Sequence, residues 1–165
     1  MKKLLIIAVA LALLVSSSSA FGLPVMPDKA DLLEVVCAKV VDGDTAWFED
    51  VDQFVVHKVR FIGIDTPETV HPTKPVMYFG KEASAFAKAS LLDQTVYLEY
   101  DIEQFDRYAR HLCYIWMDDG SLFNLTLIAQ GYAVLMTYPP NVKYVDYFVA
   151  AQTQARECGY GLWAQ

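Results

Sequence analysis

Three short runs of β-favouring residues constrain the fold of this chain most strongly. The first run, Leu33 to Val41, is rich in valine and leads directly into Asp42-Gly43, a dipeptide typical of a two-residue hairpin turn. The second run covers Thr45 to Phe48. The third covers Phe54 to Ile64, where apolar and basic residues alternate. We therefore predict a β-meander with one buried face.

The rest of the chain mixes strands and helices. We predict the following elements: a helix over Lys81 to Leu92 with an apolar face of Ala85, Phe86, Ala89 and Leu92, a strand over Thr95 to Tyr100, a polar loop over Asp101 to Ala109, a strand over Arg110 to Met117, and helices over Leu122 to Ala129 and Tyr144 to Glu157. A length of 165 residues suits one domain. The sequence therefore predicts a mainly-β α+β domain, a five-stranded barrel with about three packed helices.

The N-terminus has the features of a secretion signal. Met1-Lys2-Lys3 precedes an apolar run from Leu4 to Val15, and small residues follow up to Ala20. The run is shorter than the roughly 20 apolar residues of a membrane span, although an uncleaved anchor remains the alternative. We predict a signal peptide over residues 1–20, a flexible leader over 21–32, and a folded domain over 33–165. The protein would then be secreted, to the periplasm or the medium, without further membrane contact.

The net charge argues against a broadly basic binding surface. The chain carries a formal charge of −7, and loss of the signal peptide would remove two more lysines and no acid. Proteins that bind nucleic acid without sequence preference usually have a basic surface. A polyanion would therefore have to be held locally by a cation and a few arginines. The acidity would also favour solubility by itself.

The cysteines and histidines show no metal-binding pattern. Three cysteines, Cys37, Cys113 and Cys158, cannot all pair within one chain, and export makes one disulfide possible. Because the first two lie in strand-like apolar runs, we favour free buried thiols. The three histidines have no ligand spacing, and we assign them no chemistry: His57, His71 and His111.

Two acids could meet at one rim of the barrel. Asp44 follows the turn glycine and Asp65 ends the third predicted strand, so a meander brings both to the same edge. With the Thr66 carbonyl they offer three oxygen ligands. Calcium takes about six to eight, so water and a substrate phosphate would complete the shell. The pattern predicts an open calcium site, whereas Asp42 is better explained as a turn residue.

A carboxylate and two arginines could complete a hydrolytic site. Glu68 follows Thr66-Pro67, a turn that would direct its side chain across the same rim, where it could orient or deprotonate a water. Its alternative role is to cap that turn. Arg60 and Arg110 could bind phosphate through two donors each and cannot act as the base. Tyr108 and Tyr138 lie in predicted loops, where they could stack on bases.

At this point the sequence resembles the staphylococcal nuclease (thermonuclease) family. The resemblance covers roughly Val35 to Trp163 and rests on these motifs: Val41-Asp42-Gly43-Asp44-Thr45, Val59-Arg60, Ile64-Asp65-Thr66-Pro67-Glu68-Thr69, His71-Pro72, Gly80 to Phe86, Asp106-Arg107-Tyr108-Ala109-Arg110, Asn124, Gly131 to Ala133, Tyr138 to Asn141 and Gly161-Leu162-Trp163. The combination is highly specific.

The resemblance implies an OB-fold barrel with three helices and a calcium-dependent nuclease for DNA and RNA. Cleavage would leave 3′-phosphate ends, on substrates that are single-stranded or locally unwound, and we expect a monomer. The implied roles are calcium binding by Asp44, Asp65 and the Thr66 carbonyl, water activation by Glu68, phosphate binding by Arg60 and Arg110, and nucleotide binding by Arg107, Tyr108 and Tyr138.

The chain departs from the family pattern at three places. Ala109 stands where the family usually has glycine. If the backbone has a positive φ at this position, alanine is strained there and could shift Arg110. Leu125 replaces an acid, and the loop before Asp106 lacks the usual basic residues. Two alternatives therefore remain. One is a non-catalytic OB-fold module that binds single strands or a protein, and the other is a calcium-binding domain without a nucleic-acid role.

Overall fold

A closed five-stranded barrel forms the centre of the protein. The computed structural model describes residues 22–50, 52–69 and 77–164, so the predicted signal peptide lies outside the described residues. Its strands are β1 (Leu33–Asp42), β2 (Thr45–Asp50), β3 (Val55–Phe61), β5 (Thr95–Phe105) and β6 (His111–Met117). Their order around the barrel is β1-β2-β3-β6-β5.

Three helices and a small second sheet complete the described part of the fold. The helices are α1 (Gly80–Leu91), α2 (Phe123–Ala129) and α3 (Val145–Cys158), and the second sheet pairs β4 (Ile64–Asp65) with β7 (Val134–Leu135). The predicted mainly-β barrel with three helices is therefore confirmed.

The predicted meander is present. Asp42 pairs with Thr45 across the Gly43-Asp44 turn, and β2 continues antiparallel to β3. Inward-facing residues alternate along these strands, with Ala46, Phe48 and Val59 fully buried. A parallel ladder from β3 to β6 then closes the barrel.

The third strand is shorter than predicted. It ends at Phe61, and Gly63 turns the chain with a φ of 80°. A Cβ atom at Gly63 would lie 2.5 Å from the Phe148 ring, so α3 packs directly against this turn. The chain then leaves the barrel and forms β4. Asp65 therefore lies in β4, and its predicted place at the end of the third strand was wrong.

The fourth barrel strand is longer than predicted. β5 continues to Phe105 through a register shift after Tyr100, so the predicted polar loop shrinks to the turn before Arg110. Asn141 holds this extension, since its side chain exchanges hydrogen bonds of 2.8 and 2.7 Å with the backbone of Glu103.

The buried face of α1 differs from the prediction. The helix buries Gly80, Ala83, Ala87 and Leu91, whereas Ala85 and Ala89 are exposed. The predicted apolar face was therefore wrong for Ala85 and Ala89, whereas Phe86 is partly buried against the hydrophobic core.

A buried carboxylate attaches α3 to the barrel. Glu99 on β5 is 6% exposed. It accepts hydrogen bonds from Trp116 Nε1 at 2.6 Å and from the Tyr144 hydroxyl at 2.9 Å, and it pairs with Lys143. A buried charge is tolerated only with such partners. The network joins β5, β6 and the start of α3.

The residues before β1 are partly fixed to the barrel. Lys29 begins a 3-10 turn, and its ammonium contacts Asp118 at 2.6 Å and the Tyr97 hydroxyl at 3.1 Å.

In the part of the chain that the structure describes, no helix is both long enough and apolar enough to cross a membrane.

Cys37 and Cys113 are free and buried inside the barrel, and Cys158 is free and exposed. The prediction of free buried thiols is confirmed for the first two. Burial raises the pKa of Cys37 to about 11, so this thiol stays protonated and unreactive at neutral pH.

Candidate active site

The turn between β1 and β2 presents Asp44 to the segment that follows β3. Asp44 is 7% exposed. Its Oδ2 accepts hydrogen bonds from the Thr66 amide at 2.9 Å and the Thr66 hydroxyl at 3.0 Å. These bonds join positions that are 22 residues apart and hold Thr66 beside Asp44, one of the two acids predicted as ligands.

Arg60 connects the two predicted acids. Its Nη2 donates a hydrogen bond to Asp65 Oδ1 at 2.8 Å. Its Nη1 lies 2.7 Å from Asp44 Oδ2, where the two groups form an ion pair whose angles do not suit a hydrogen bond. The Arg60 side chain is 16% exposed, so solvent screens these contacts weakly. The structure therefore brings Asp44, Arg60, Asp65 and Thr66 into one cluster.

The cluster holds more acid than one arginine balances. Partial burial raises the pKa of Asp65, Arg60 opposes that rise, and the Asp44 and Asp42 charges add to it. Two carboxylates and a carbonyl are hard oxygen donors of the kind that bind calcium. Among residues 22–50, 52–69 and 77–164, no group of three or more histidine, cysteine, aspartate or glutamate side chains is placed to hold a metal ion.

Asp42 does more than stabilise the hairpin turn. Its Oδ1 accepts from the Gly43 amide at 2.9 Å, as expected of a turn residue, and also from the Thr69 hydroxyl at 2.9 Å. Burial is the main cause that raises the pKa of Asp42, and contact with the Glu68 carboxyl adds to it. Asp42 thus fixes the segment that carries Glu68. The sequence pattern gave only its role in the turn.

Arg110 is held by an acid that the sequence reasoning did not single out. Asp106 accepts from Arg110 Nε at 2.7 Å and from the Arg110 amide at 2.9 Å. Partial burial alone would raise the pKa of Asp106, but the hydrogen bonds from Arg110 and Tyr108 lower it. An Asp four residues before the arginine, in a turn, is a recognisable Asx signal that could have identified it.

The predicted nucleotide contacts lie around one cleft. The cleft has a volume of about 470 Å³, and its walls include Arg60, Arg107, Tyr108, Arg110 and Tyr138. Both tyrosine rings are largely exposed, at 65% for Tyr108 and 72% for Tyr138. The guanidinium carbons of Arg107 and Arg110 lie 4.8 and 5.5 Å from the Tyr108 ring centre. Positive charge and flat apolar surface therefore meet in this cleft, beside the acidic cluster.

Comparisons with known proteins agree with this architecture. The family described as "Staphylococcal nuclease homologue" matches residues 58–165. The chain belongs to the staphylococcal nuclease family. It is 44% identical over 125 residues to the thermonuclease of Staphylococcus intermedius, covering 76% of this chain and 73% of that protein. It is 43% identical over 127 residues to the thermonuclease of Staphylococcus hyicus, with the same two shares.

A more distant nuclease relative extends the comparison. Endonuclease YncB of Bacillus subtilis (strain 168) is 31% identical over 146 residues, covering 87% of this chain and 68% of that protein. Membership of the staphylococcal nuclease family, together with these relatives, shows that the protein is a nucleic-acid hydrolase with an OB-type barrel.

The departures from the staphylococcal nuclease pattern have visible structural consequences. Ala109 adopts a φ of 58°, the left-handed conformation that favours glycine. Leu125 lies partly buried against the hydrophobic core. Asn124, its neighbour, is fully buried and bonds the Ile115 amide and the Ile62 carbonyl, each at 2.9 Å. The replaced acid therefore leaves the barrel-to-α2 connection in place.

Proposed function

We propose that the protein is a secreted, calcium-dependent nuclease that hydrolyses DNA and RNA with little sequence preference and leaves 3′-phosphate ends. One observation carries the proposal: Arg60 contacts both Asp44 and Asp65 at the edge of a cleft that Arg110 also lines. This arrangement combines a cation-binding acid pair with two phosphate-binding arginines, the two kinds of group that phosphoryl transfer requires.

The acid pair fits a hard divalent cation. Asp44, Asp65 and the Thr66 carbonyl would hold Ca²⁺. Burial is the main cause that raises the pKa of Asp65, and the Asp44 and Asp42 charges, which add to that rise, are charges that a divalent ion would neutralise. The bound ion would supply charge stabilisation at a phosphate oxygen and lower the pKa of a bound water. Ion binding would also compete with Arg60 for the two carboxylates and free its guanidinium for the phosphate.

The protein side chains would divide the remaining work. Glu68 would accept the proton of the water that attacks phosphorus, and the 5′ oxygen would leave with its electron pair. Arg60 and Arg110 would donate hydrogen bonds to the phosphate oxygens, where charge grows in the transition state. Asp106 would hold Arg110 in the cleft through its 2.7 Å bond to Nε. Asp42 would hold the Glu68 segment through Thr69.

The cleft suits a single strand of any base sequence. Arg107 would bind a terminal phosphate, and Tyr108 and Tyr138 would stack on bases. Neither kind of contact depends on base identity. An unstacked base is needed for such contacts, so single-stranded or locally unwound DNA and RNA would be preferred. We propose a monomer, released from its signal peptide over residues 1–20.

Substitution of Arg60 tests the proposal directly. Arg60→Lys keeps the charge but loses the two-pronged donor, so we expect kcat to fall about 10²-fold. Arg156→Lys in α3, where the guanidinium lies 4.4 Å from the Trp163 ring, is the matched control and should keep full activity. Full activity of Arg60→Lys would contradict the assignment. Intact single strands after long incubation of the mature wild-type protein with calcium would favour the non-catalytic module.

A further inference from the structure

The outer face of the first three strands carries a basic and aromatic row. Lys39 on β1, Trp47 on β2 and Lys58 on β3 are direct cross-strand partners. The two ammonium groups lie 5.0 and 4.9 Å from the centre of the Trp47 ring. We call these three residues the Lys-Trp-Lys row. Both lysines are exposed and the tryptophan is half-buried, so solvent reaches the row.

The row lies next to Arg60 on the same face of the sheet. Val59 and Phe61 point into the barrel, so Lys58 and Arg60 both point outward. Arg60 pairs with Thr45 in the neighbouring row. Two residues along a strand span about 7 Å, which is close to the spacing of successive phosphates in an extended single strand.

The basic surface ends one row further on. There Glu49 lies opposite Val36 and Val56, so an acid and two apolar residues follow the Lys-Trp-Lys row. In a chain of net charge −7, the positive outer face is therefore local. Its extent matches one or two nucleotides beside the phosphate bound at Arg60.

We propose that the Lys-Trp-Lys row binds the single-stranded DNA or RNA adjoining the scissile phosphate, with Trp47 stacking on a base and Lys39 and Lys58 contacting phosphates. The proposal rests on the proposed nuclease function and extends its substrate site. OB-fold barrels bind oligonucleotides on the face of their second and third strands, where this row lies. Aromatic stacking combined with basic side chains is also the usual means of holding a strand without reading its sequence.

The lysine–tryptophan contacts do not block a base. A cation over an aromatic ring that solvent reaches is a weaker interaction than a base stacked on that ring. A strand that brings both a base and a phosphate therefore displaces a lysine from the ring and gives it an ion pair. In the free protein the two lysines lie over the half-buried Trp47 ring.

Substrates of two lengths distinguish binding at the Lys-Trp-Lys row from binding in the catalytic cleft. A dinucleotide fills only the cleft, whereas a single-stranded dodecamer also reaches the row. For Trp47→Ala we expect KM for the dodecamer to rise about tenfold, with kcat and the dinucleotide KM unchanged. Trp47→Phe keeps a stacking ring and should restore most of the dodecamer affinity. An equal rise in KM for both substrates, or no rise, would overturn the proposal.

The lysines are tested by salt dependence. Each lost phosphate contact lowers the slope of log affinity against log salt by about 0.7 for a single strand. Lys58→Gln should show this loss in the fluorescence anisotropy of a labelled dodecamer measured in EDTA. Lys88→Gln, an equal charge change at an exposed position of α1, should not. Equal slopes for Lys58→Gln and the wild type would count against the row.

The anisotropy measurement does not depend on catalysis. If the wild-type protein cleaves neither substrate, the proposed function fails. Binding alone then tests whether the Lys-Trp-Lys row holds a single strand. Weaker binding of the dodecamer by Trp47→Ala supports that proposal, and unchanged binding overturns it.

Discussion

The left-handed turn before Arg110 makes a stability prediction that can be worked out from the backbone. Ala109 has a φ of 58° and is exposed. An L-residue in this conformation costs about 1–2 kcal/mol relative to glycine. Glycine removes this strain, but it also makes the unfolded chain more flexible, which lowers the free energy of unfolding by about 0.4–1 kcal/mol. Ala109→Gly should therefore raise the free energy of unfolding by about 1 kcal/mol and the Tm by about 4 °C.

The assay is urea unfolding followed by circular dichroism, with thermal unfolding as a second measure. The same substitution at Ala150, an exposed position inside α3, is the matched control because glycine there should destabilise by about 1 kcal/mol. The two variants should shift stability in opposite directions. If Ala109→Gly destabilises the protein as Ala150→Gly does, the backbone-strain argument is refuted.

Two further predictions concern Arg110 and the histidine pair. Asp106→Asn keeps an oxygen for the backbone amides but loses the charge that holds Arg110, so kcat should fall about tenfold with little change in Tm. An unchanged kcat in a cleavage assay would contradict the role of Asp106. Burial lowers the pKa of His111 below its usual 6.5, and repulsion from His57, whose Nδ1 lies 3.4 Å from His111 Nε2, adds to this. At acidic pH the unfolded chain therefore binds more protons at this histidine than the folded protein does. Stability should thus be constant above about pH 7 and fall as the pH drops below about 6.5, and His111→Phe should flatten this fall in pH-dependent urea unfolding; an unaltered profile would contradict it.

Local sequence signals account for the first half of the barrel. The Asp42-Gly43 signal and the alternation along β2 and β3 depend on turn chemistry and on the period of a strand, which neighbouring residues determine. The predicted meander was therefore correct. The end of β3 was missed although Gly63, which turns the chain, is a local signal. The packing of Phe148 against that turn joins positions 85 residues apart and has no local signal.

The candidate site was predictable for a different reason. Its residue types and their order carry the family resemblance, so Asp44, Arg60 and Asp65 could be named without a structure. The supporting contacts could not be named in this way. Asp106 is local and was overlooked, whereas the contact of Asp42 with Thr69 spans 27 residues and needs the folded turn.

The histidine pair shows the limit of spacing arguments. His57 and His111 were assigned no chemistry because they are 54 residues apart. Parallel pairing of β3 with β6 brings their rings into edge-to-face contact at 4.7 Å, and the Tyr100 hydroxyl lies 2.7 Å from His111 Nδ1. A strand crossover of this kind leaves no local trace in the sequence.

Calcium-dependent cleavage by the mature protein tests the central claim most directly. A labelled single-stranded DNA is incubated with protein stripped of metal, and calcium is then added in steps while fragments and their ends are identified. We predict no cleavage in chelator, cleavage that rises with calcium, and fragments that end in 3′-phosphate, with Asp44→Asn requiring more calcium for the same rate. Equal cleavage in chelator and calcium, or fragments that carry 5′-phosphate ends, would contradict the account.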